Sequence, residues 1–349
     1  MSQVETGAKL LATLALALFH LLPVTPTLSE FNRHREITLL EEHLTAAETT
    51  VRVVRVRKDG TGDFTTVTDA VKSIPSGNKR RVVVWIGMGE YREKITVDRS
   101  KRFVTFYGER NGKDNDMMPI ITYDATALRY GTLDSATVAV DADYFVAVNV
   151  AFVNSSPMPD ENSVGGQALA MRISGDKAAF YNCKFIGFQD TLCDDYGKHF
   201  FKDCFIQGTY DFIFGNGKSI YLRTTIESVA KGLNVITAQG RERMSDDTGF
   251  TFVHCNITGS GHRNTYLGRG WRRSPRVVFA YTYMDSVVNS RGWYHHGSNE
   301  TIFFGEYKCS GPGAVRLNYK RILSDEEAKH FLSMAYIHGE QWVRPPPKL

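Results

Sequence analysis

The 349-residue sequence has few prolines (11) and few cysteines (5), and it has no long run of charge of one sign. Five cysteines are too few for a disulfide scaffold, and their odd number leaves at least one thiol unpaired within the chain. Lysine and arginine exceed aspartate and glutamate by only 4 charges, spread along the chain, which does not suggest nucleic-acid binding. Apolar (42%) and charged (23%) fractions exclude a disordered chain, a collagen and an integral membrane bundle. Abundant glycine and aromatic residues favour strands and tight turns over helical bundles.

Only one long apolar run is present, at residues 10–22 after Lys9. It is too short to span a bilayer core of ~30 Å and has the length of a signal-peptide core. We therefore expect a signal peptide at residues 1–24, a short spacer or weak helix at 25–50, and one functional domain at 51–349, in a secreted protein. A short amphipathic anchor is the alternative for the apolar run. Glycosylation sequons at Asn154, Asn256 and Asn299 agree with export.

Short runs of β-branched and aromatic residues, separated by turns, predict an all-β domain. The predicted strands are Val51–Val56, Val82–Ile86, Phe103–Tyr107, Ile120–Tyr123, Val138–Val140 and Phe145–Val150. Two short helices are expected beside them. One covers Thr66–Ile74, where apolar residues recur with helical spacing before Pro75, and the other follows the capping box Ser324-Asp-Glu-Glu327. Neither helix alternates regularly with strands, which argues against a doubly wound α/β fold.

An internal repeat identifies the β architecture. Three segments share a cysteine, then an apolar residue two positions on, then a glycine: Asn182-Cys183-Lys-Phe185-Ile-Gly187, Asp203-Cys204-Phe-Ile206-Gln-Gly208 and, more loosely, His254-Cys255-Asn-Ile257-Thr-Gly259. Each copy offers alternate inward positions followed by a turn, which is what one coil of a solenoid needs. We predict a right-handed parallel β-helix with short N- and C-terminal helices. An antiparallel sandwich is the alternative.

Two aspartates occupy the same position in consecutive copies of this repeat. Asp190 lies seven residues after Cys183, and Asp211 lies seven residues after Cys204. Equivalent positions on adjacent coils are ~4.8 Å apart, so both carboxylates should project from one face. Two like charges that close drive their pKa values apart, which separates an acid from a nucleophile or base. An aspartate ladder that only caps turns is the alternative.

Several side chains near this pair could support chemistry. Gln189 precedes Asp190, and Gln167 lies about one further coil upstream, so both could present amide N–H donors to an oxyanion. Arg269 could pair with one aspartate and fix its direction. Trp271, two residues on, offers a flat apolar face suited to a sugar ring. Each has a solvated-surface explanation when it is considered alone.

Five motifs in order resemble those of the pectin methylesterase family, plant branch. They are Gly89-Glu-Tyr91-Arg-Glu93, Gln167-Ala-Leu-Ala170, Gln189-Asp-Thr-Leu192, Asp211-Phe-Ile-Phe-Gly215 and Leu267-Gly-Arg-Gly-Trp271. Thr237-Ala-Gln-Gly-Arg241 and Gly311-Pro-Gly-Ala314 also match, so the resemblance runs from about Val53 to Met334. It implies a parallel β-helix and hydrolysis of the methyl esters of polygalacturonate (pectin) to pectate and methanol in the cell wall. The short N-terminal region resembles the form without a long pro-region.

The resemblance also implies roles for individual residues. Asp211 resembles the family nucleophile, Asp190 the general acid and base, and Arg269 the partner of the nucleophile. Gln167 and Gln189 resemble the oxyanion donors. Trp271 and, with less support, Trp293 resemble substrate-binding tryptophans, and Gln167 also contacts substrate on this reading. No metal or other cofactor is implied. The expected partners are methylesterified homogalacturonan and a proteinaceous inhibitor, and the protein is expected to be a monomer without nucleic-acid or, after processing, membrane partners.

Departures from the family pattern concern the cleft. Cys193 stands where many relatives have tyrosine, Gly270 stands where proline or alanine is usual, and His296 stands where a second tryptophan is frequent. Two rival functions stay open: a β-helix lyase, which would need a calcium-binding acidic cluster, and a catalytically weak or inactive pectin-binding protein. The Asp247-Thr-Gly triplet is interpreted as a polar turn and not as an aspartic-protease motif. His295-His296 is interpreted as a surface pair.

Overall fold

The computed structural model describes residues 42–110, 117–160, 163–229, 232–294, 301–316 and 321–346. The chain divides into two compact units, Met1–His43 and Leu44–Leu349. The predicted signal peptide, most of the predicted spacer, Asn299 and the His295-His296 pair lie outside the described residues. All the described strands lie in the second unit, which begins in a helix that ends at residue 49, slightly before the domain start predicted at residue 51.

Three parallel sheets make up the second unit. In hydrogen-bonded order, sheet A contains β1 (Arg52–Val56), β2 (Val82–Ile86), β5 (Val104–Gly108), β8 (Val146–Val148), β11 (Ala178–Tyr181), β14 (Lys198–Lys202), β17 (Lys218–Leu222), β20 (Gly249–Val253), β23 (Arg276–Ala280) and β26 (Phe303–Tyr307). Sheet B contains β3 (Glu90–Arg92), β6 (Ile120–Tyr123), β9 (Ala151–Asn154), β12 (Lys184–Ile186), β15 (Phe205–Gly208), β18 (Thr225–Ser228), β21 (Asn256–Gly259) and β24 (Tyr283–Met284). Sheet C contains β4 (Ile95–Val97), β7 (Val138–Val140), β10 (Met171–Ile173), β13 (Leu192–Asp194), β16 (Tyr210–Gly215), β19 (Asn234–Gln239), β22 (Thr265–Arg269) and β25 (Trp293–Tyr294).

Each coil passes through sheets B, C and A in turn, and successive coils stack in parallel register. This confirms the predicted right-handed parallel β-helix over the antiparallel sandwich. Inward side chains of consecutive coils lie over one another, so the core is a set of ladders. One ladder stacks Phe180, Phe201, Tyr221, Phe252 and Phe279, with neighbouring ring centroids 4.4–4.7 Å apart. Burial of these rings is a major part of the stabilisation of the solenoid.

The cysteine repeat marks the corner between sheets A and B. In seven coils a single non-glycine residue with φ between 48° and 56° turns the chain there: Asn149, Asn182, Asp203, Arg223, His254, Tyr281 and Lys308. The next residue points inward and is small. Cys183 and Cys204 are on adjacent coils as predicted, whereas Cys255 is two coils beyond Cys204 because Thr224 fills the position between them. All five cysteines are free thiols, so the repeat is a packing pattern and not a disulfide framework.

Short helices cover the ends of the solenoid and the loops between its strands. Besides the helix that ends at residue 49, they are the α-helices Val67–Lys72, Ala127–Tyr130, Asp325–Lys329 and Gly339–Trp342 and the 3-10 helices Leu133–Ser135, Pro312–Ala314 and Met334–Ile337. Both predicted helices are confirmed, with Thr66 as the N-cap of the first and a complete capping box at Ser324 of the second. Within the described residues, none of the helices is long and apolar enough to cross a membrane.

Predicted and observed strands agree closely, with one exception. Val82–Ile86, Ile120–Tyr123 and Val138–Val140 match to the residue. Phe145–Val150 does not, because Asn149 has left-handed φ and divides this apolar run between β8 in sheet A and the turn into β9 in sheet B. The signal of this corner was Asn149 itself, the one polar residue in the run and of a type that tolerates left-handed φ, as Asn182 does at the next corner.

Among the residues that the structure describes, charged side chains form several buried clusters, and two of them support the packing of the coils. In the first, the His199 ring lies between the Asp194 carboxylate (Nδ1 to Oδ1, 2.6 Å) and the Gly175 carbonyl (Nε2 to O, 2.9 Å). Tyr221 donates its hydroxyl to the other Asp194 oxygen at 2.6 Å. We call Asp194, His199 and Tyr221 the corner cluster, because Asp194 ends a strand of sheet C at the corner with sheet A, to which His199 and Tyr221 belong.

The second buried cluster lies at the last complete coil. Arg316 donates from Nε and Nη2 to the two carboxylate oxygens of Glu306, both at 2.8 Å, and both side chains are at most 3% exposed. Trp293 donates to the same carboxylate at 3.3 Å. Arg316 also donates to the carbonyl of Gly313, which lies in the Gly311-Pro-Gly-Ala314 segment. This pair closes the C-terminal end of the core, which explains that motif structurally.

Candidate active site

The two predicted aspartates lie side by side on sheet C. Leu192 of β13 pairs with Ile213 of β16, which gives Asp190 and Asp211 equivalent positions on adjacent coils. The Asp190 backbone N–H donates to the Tyr210 carbonyl at 3.1 Å, which fixes the two coils together at this point. The predicted register is therefore confirmed.

Both aspartates have a strained backbone. Asp190 has φ = 63° and Asp211 has φ = 51°, in the left-handed region that non-glycine residues avoid. At Asp211 the pairing with β19 also shifts register between Tyr210 and Ile213, as in a β-bulge. Such conformations cost about 1–3 kcal/mol each, and they re-aim a side chain. Here they aim both carboxylates into one cleft.

Arg269, at the end of β22, holds one of the two carboxylates. Its Nε lies 2.8 and 2.9 Å from the two Asp211 oxygens, and its Nη2 lies 2.5 Å from Oδ2. Asp190 has no such partner among its described contacts. The guanidinium also lies over the Tyr210 ring, 5.7 Å from its centroid, so its own position is fixed from a second side.

This asymmetry separates the two carboxyl groups electrostatically. Burial and the neighbouring charge of Asp211 raise the pKa of Asp190 well above its usual range. Burial also raises the pKa of Asp211, but the hydrogen bonds and charge of Arg269 oppose that rise. The pKa of Asp190 therefore stands above that of Asp211, because only Asp211 has a direct cationic partner. The pair favours a protonated Asp190 beside an ionised Asp211.

A cavity of about 550 Å³ opens above the aspartates. Its lining includes Gln167, Gln189, Asp190, Asp211, Arg269 and Trp271, so six of the seven predicted site residues come together. Trp271 is 37% exposed and packs edge-on against Phe214, with ring centroids 6.0 Å apart. A Cβ on Gly240 would lie 3.0 Å from the Trp271 ring, so this glycine leaves room for the indole. The cavity thus combines two acids, two amides and an apolar wall.

Trp293 departs from the prediction. It is 5% exposed, stacks on Phe304 with ring centroids 4.2 Å apart, and donates to the buried Glu306. It is absent from the described residues that line the cavity. We therefore assign Trp293 to the C-terminal core and not to substrate contact. A tryptophan beside a turn looks the same in sequence whether its indole points inward or outward.

The cavity also contains residues that the sequence reasoning missed. Tyr210 and Phe214 flank Asp211 in its own strand, and their aromatic character was the available signal. Thr132 and Leu133 come from the loop between β6 and β7, and Arg272 follows Trp271 with its guanidinium 4.9 Å from the indole centroid. The loop residues had no signal, because their approach depends on how a long connection folds.

Other sequence motifs prove to be structural. Glu93 accepts hydrogen bonds from the backbone N–H groups of Val67 (3.0 Å) and Thr68 (2.7 Å), so it caps the N-terminus of the α-helix Val67–Lys72. Asp247 of the Asp-Thr-Gly triplet pairs with Lys218 at 2.7 Å, away from the cavity. Across the described ranges, no group of three or more His, Cys, Asp or Glu side chains is arranged to hold a metal ion.

Comparisons with known proteins point to one family. The sequence matches the Pectinesterase family model over residues 53–340. It is 53% identical over 298 residues to putative pectinesterase 63 of Arabidopsis thaliana, covering 84% of this chain and 86% of the relative. It is 47% identical over 315 residues to pectinesterase 1 of Olea europaea, covering 88% and 84%. Among solved structures, pectin methylesterase from carrot superposes with a TM-score of 0.74 at 31% identity, covering 85% of this chain and 95% of that one.

Proposed function

The chain belongs to the pectinesterase family, and from that premise we propose that it hydrolyses the methyl esters of polygalacturonate, releasing methanol and leaving pectate. One observation carries the assignment to this cleft. Two carboxyl groups lie on adjacent coils, and of the two only Asp211 forms a salt bridge with the guanidinium of Arg269. That arrangement supplies an ionised nucleophile next to a carboxylic acid.

In the first half of the reaction, an Asp211 oxygen attacks the carbonyl carbon of the ester. The carbonyl oxygen becomes an oxyanion, to which the side-chain amides of Gln167 and Gln189 donate hydrogen bonds. The tetrahedral intermediate collapses as the bond to the methoxy oxygen breaks. Asp190 gives its proton to that oxygen, so neutral methanol leaves and an anhydride links Asp211 to the substrate.

In the second half, water hydrolyses the anhydride. Asp190, now ionised, removes a proton from the water as it attacks the substrate carbonyl carbon. The bond from that carbon to Asp211 breaks, which returns Asp211 as a carboxylate beside Arg269 and Asp190 in its protonated form. The net reaction consumes one water and produces one methanol and one galacturonic acid group. Trp271 would pack against a sugar ring during both steps.

The proposal extends to the domain limits, the location and the partners of the protein. We propose that residues 1–24 direct secretion, that residues 51–349 form the catalytic domain, and that the protein acts in the cell wall on methylesterified homogalacturonan as a monomer. Binding by a proteinaceous inhibitor stays a prediction. The small excess of 4 positive charges is compatible with a polyanionic product.

The test uses highly methylated pectin without added calcium and follows methanol and acid release. We expect stoichiometric methanol and protons from the wild type, and a loss of at least about a hundredfold in Asp190→Asn and in Asp211→Asn. Asp203→Asn is the matched control, because Asp203 also has left-handed φ (56°) but lies at the corner between sheets A and B. Full activity in both site variants would refute the assignment. Pectin binding without methanol would favour a binding protein, and a calcium-dependent unsaturated product would favour a lyase.

A further inference from the structure

The three Asn-X-Ser/Thr sequons differ in accessibility. Asn154 is 3% exposed, and its amide nitrogen donates to the carbonyls of Ala125 (2.9 Å) and Leu169 (3.0 Å). Its side-chain oxygen accepts from the Ser156 N–H at 3.0 Å. A glycan on this nitrogen would replace core hydrogen bonds with a bulky polar group, so a chain modified there cannot adopt this fold. Asn299 lies outside the described residues.

Asn256 has the opposite environment. It begins β21 on sheet B, and its side chain is exposed while the following Ile257 is fully buried. Side chains alternate along a strand, so Asn256 and Thr258 both face outward, the two residues that a sequon requires. Sheet B is a different face of the solenoid from sheet C, which carries the cleft.

An exposed aromatic residue lies next to Asn256 on the same face. Register pairs Asn256 with Tyr283 of β24, so their Cα atoms are about one strand spacing, ~4.8 Å, apart. Tyr283 is 47% exposed. The apolar face of a sugar ring attached to Asn256 would cover an aromatic ring at this distance, which would remove apolar surface from water.

We propose that Asn256 is an N-glycosylation site and that the first N-acetylglucosamine packs on Tyr283. In this transfer the Asn256 side-chain nitrogen forms a bond to C1 of a lipid-linked oligosaccharide. The bond from C1 to the lipid diphosphate breaks, the lipid diphosphate leaves, and the amide loses one proton. The modification requires entry into the secretory pathway, which the predicted signal peptide provides.

The first measurement is occupancy. The full chain, preceded by a host leader so that export does not depend on residues 1–24, is secreted from a eukaryotic host and digested with PNGase F in ¹⁸O-water. We expect most Asn256 peptides and no Asn154 peptides to carry the label. Thr258→Val should abolish the modification at Asn256, and Thr258→Ser should keep it. An unmodified Asn256 in secreted, folded protein would overturn the site.

The second measurement tests the sugar–tyrosine contact. Endoglycosidase H leaves a single N-acetylglucosamine, so the trimmed protein should keep a higher Tm than Asn256→Gln. Tyr283→Ala should abolish that difference and Tyr283→Phe should retain it. A difference that persists in Tyr283→Ala, or no difference in the wild-type background, would overturn the contact. Methanol release by Asn256→Gln should equal that of the wild type, so this proposal and the esterase proposal can fail separately.

Discussion

The corner cluster predicts a stability that falls as pH rises. Both ring nitrogens of His199 face acceptors, Asp194 at 2.6 Å and Gly175 at 2.9 Å, so the ring must hold two protons to satisfy both. Burial lowers the pKa of His199, but the charge and hydrogen bond of Asp194 and the Gly175 carbonyl outweigh it and raise the pKa above its ordinary value. A raised folded-state pKa contributes stability that is complete below about pH 6.5 and is lost as pH rises through the folded pKa.

The magnitude follows from the burial of the pair. Asp194 and His199 are both 0% exposed, and removing one partner of a fully buried ion pair costs about 3–5 kcal/mol. The charge of Asp176, which is itself paired with Lys177 and Lys198, acts on the ring in the same direction as Asp194. Each unit by which the folded pKa exceeds the unfolded one corresponds to about 1.4 kcal/mol.

The assay is denaturant unfolding from pH 6 to pH 9. His199→Gln should reduce the free energy of unfolding by about 3–5 kcal/mol at pH 6. The difference in this free energy between the variant and the wild type should narrow as pH rises. Tyr221→Phe removes a hydrogen bond to the Asp194 carboxylate, which makes that carboxylate hold the shared proton more strongly. The loss of folding stability with rising pH should therefore occur at higher pH in this variant, although its free energy of unfolding is lower than that of the wild type at every pH.

His262→Gln is the control, because His262 is exposed on a turn. It should leave both the stability and its pH dependence unchanged. A gap between His199→Gln and the wild type that stays constant from pH 6 to pH 9 would refute the reasoning, because it would show that the ring carries no titrating charge in this range.

Three further predictions concern single contacts. Arg269→Lys cannot keep the forked contact with Asp211 and should lower kcat for methanol release about ten- to a hundredfold, with little change in Tm; an unchanged kcat would contradict the assigned role. Glu306→Ala leaves Arg316 buried without its anion and should reduce the unfolding free energy by about 3–5 kcal/mol in urea titrations, and a loss under 1 kcal/mol would contradict it. Gly217→Ala would put a Cβ 1.9 Å from a carboxylate oxygen of the corner cluster, so its Tm should fall clearly, and an unchanged Tm would show that this corner is loosely packed.

The sequence predicted the parts of this protein that repeat. The offset between Cys183 and Cys204 gave the coil length, and that length alone aligned Asp190 with Asp211. Repetition makes a solenoid readable because each coil imposes the same inward and outward pattern on the next. The catalytic assignment of these residues came from motif resemblance and stays a proposal.

Features that depend on side-chain direction or on long connections were not predictable. The burial of Trp293 leaves the apolar pattern unchanged, so it has no sequence signal, whereas Asn149 is a polar residue within an apolar run and was a signal of the corner that the strand prediction overlooked. The approach of Thr132 and Leu133 to the cavity depends on how the long connection between β6 and β7 folds, with its two short helices Ala127–Tyr130 and Leu133–Ser135. The pairing of Glu306 with Arg316 joins residues of two different elements, and composition gives no sign of it.

The corner between sheets A and B restricts where this chain can change length. From β8 onward, two residues join each sheet-A strand to the next sheet-B strand, whereas the connections into and out of sheet C vary widely, as in residues 155–170 and 240–248. The variable connections border the face that carries the cleft. Insertions in these connections can therefore change the cleft walls without disturbing the stacking of coils. An insertion at the two-residue corner between sheets A and B would instead shift the register of every coil that follows.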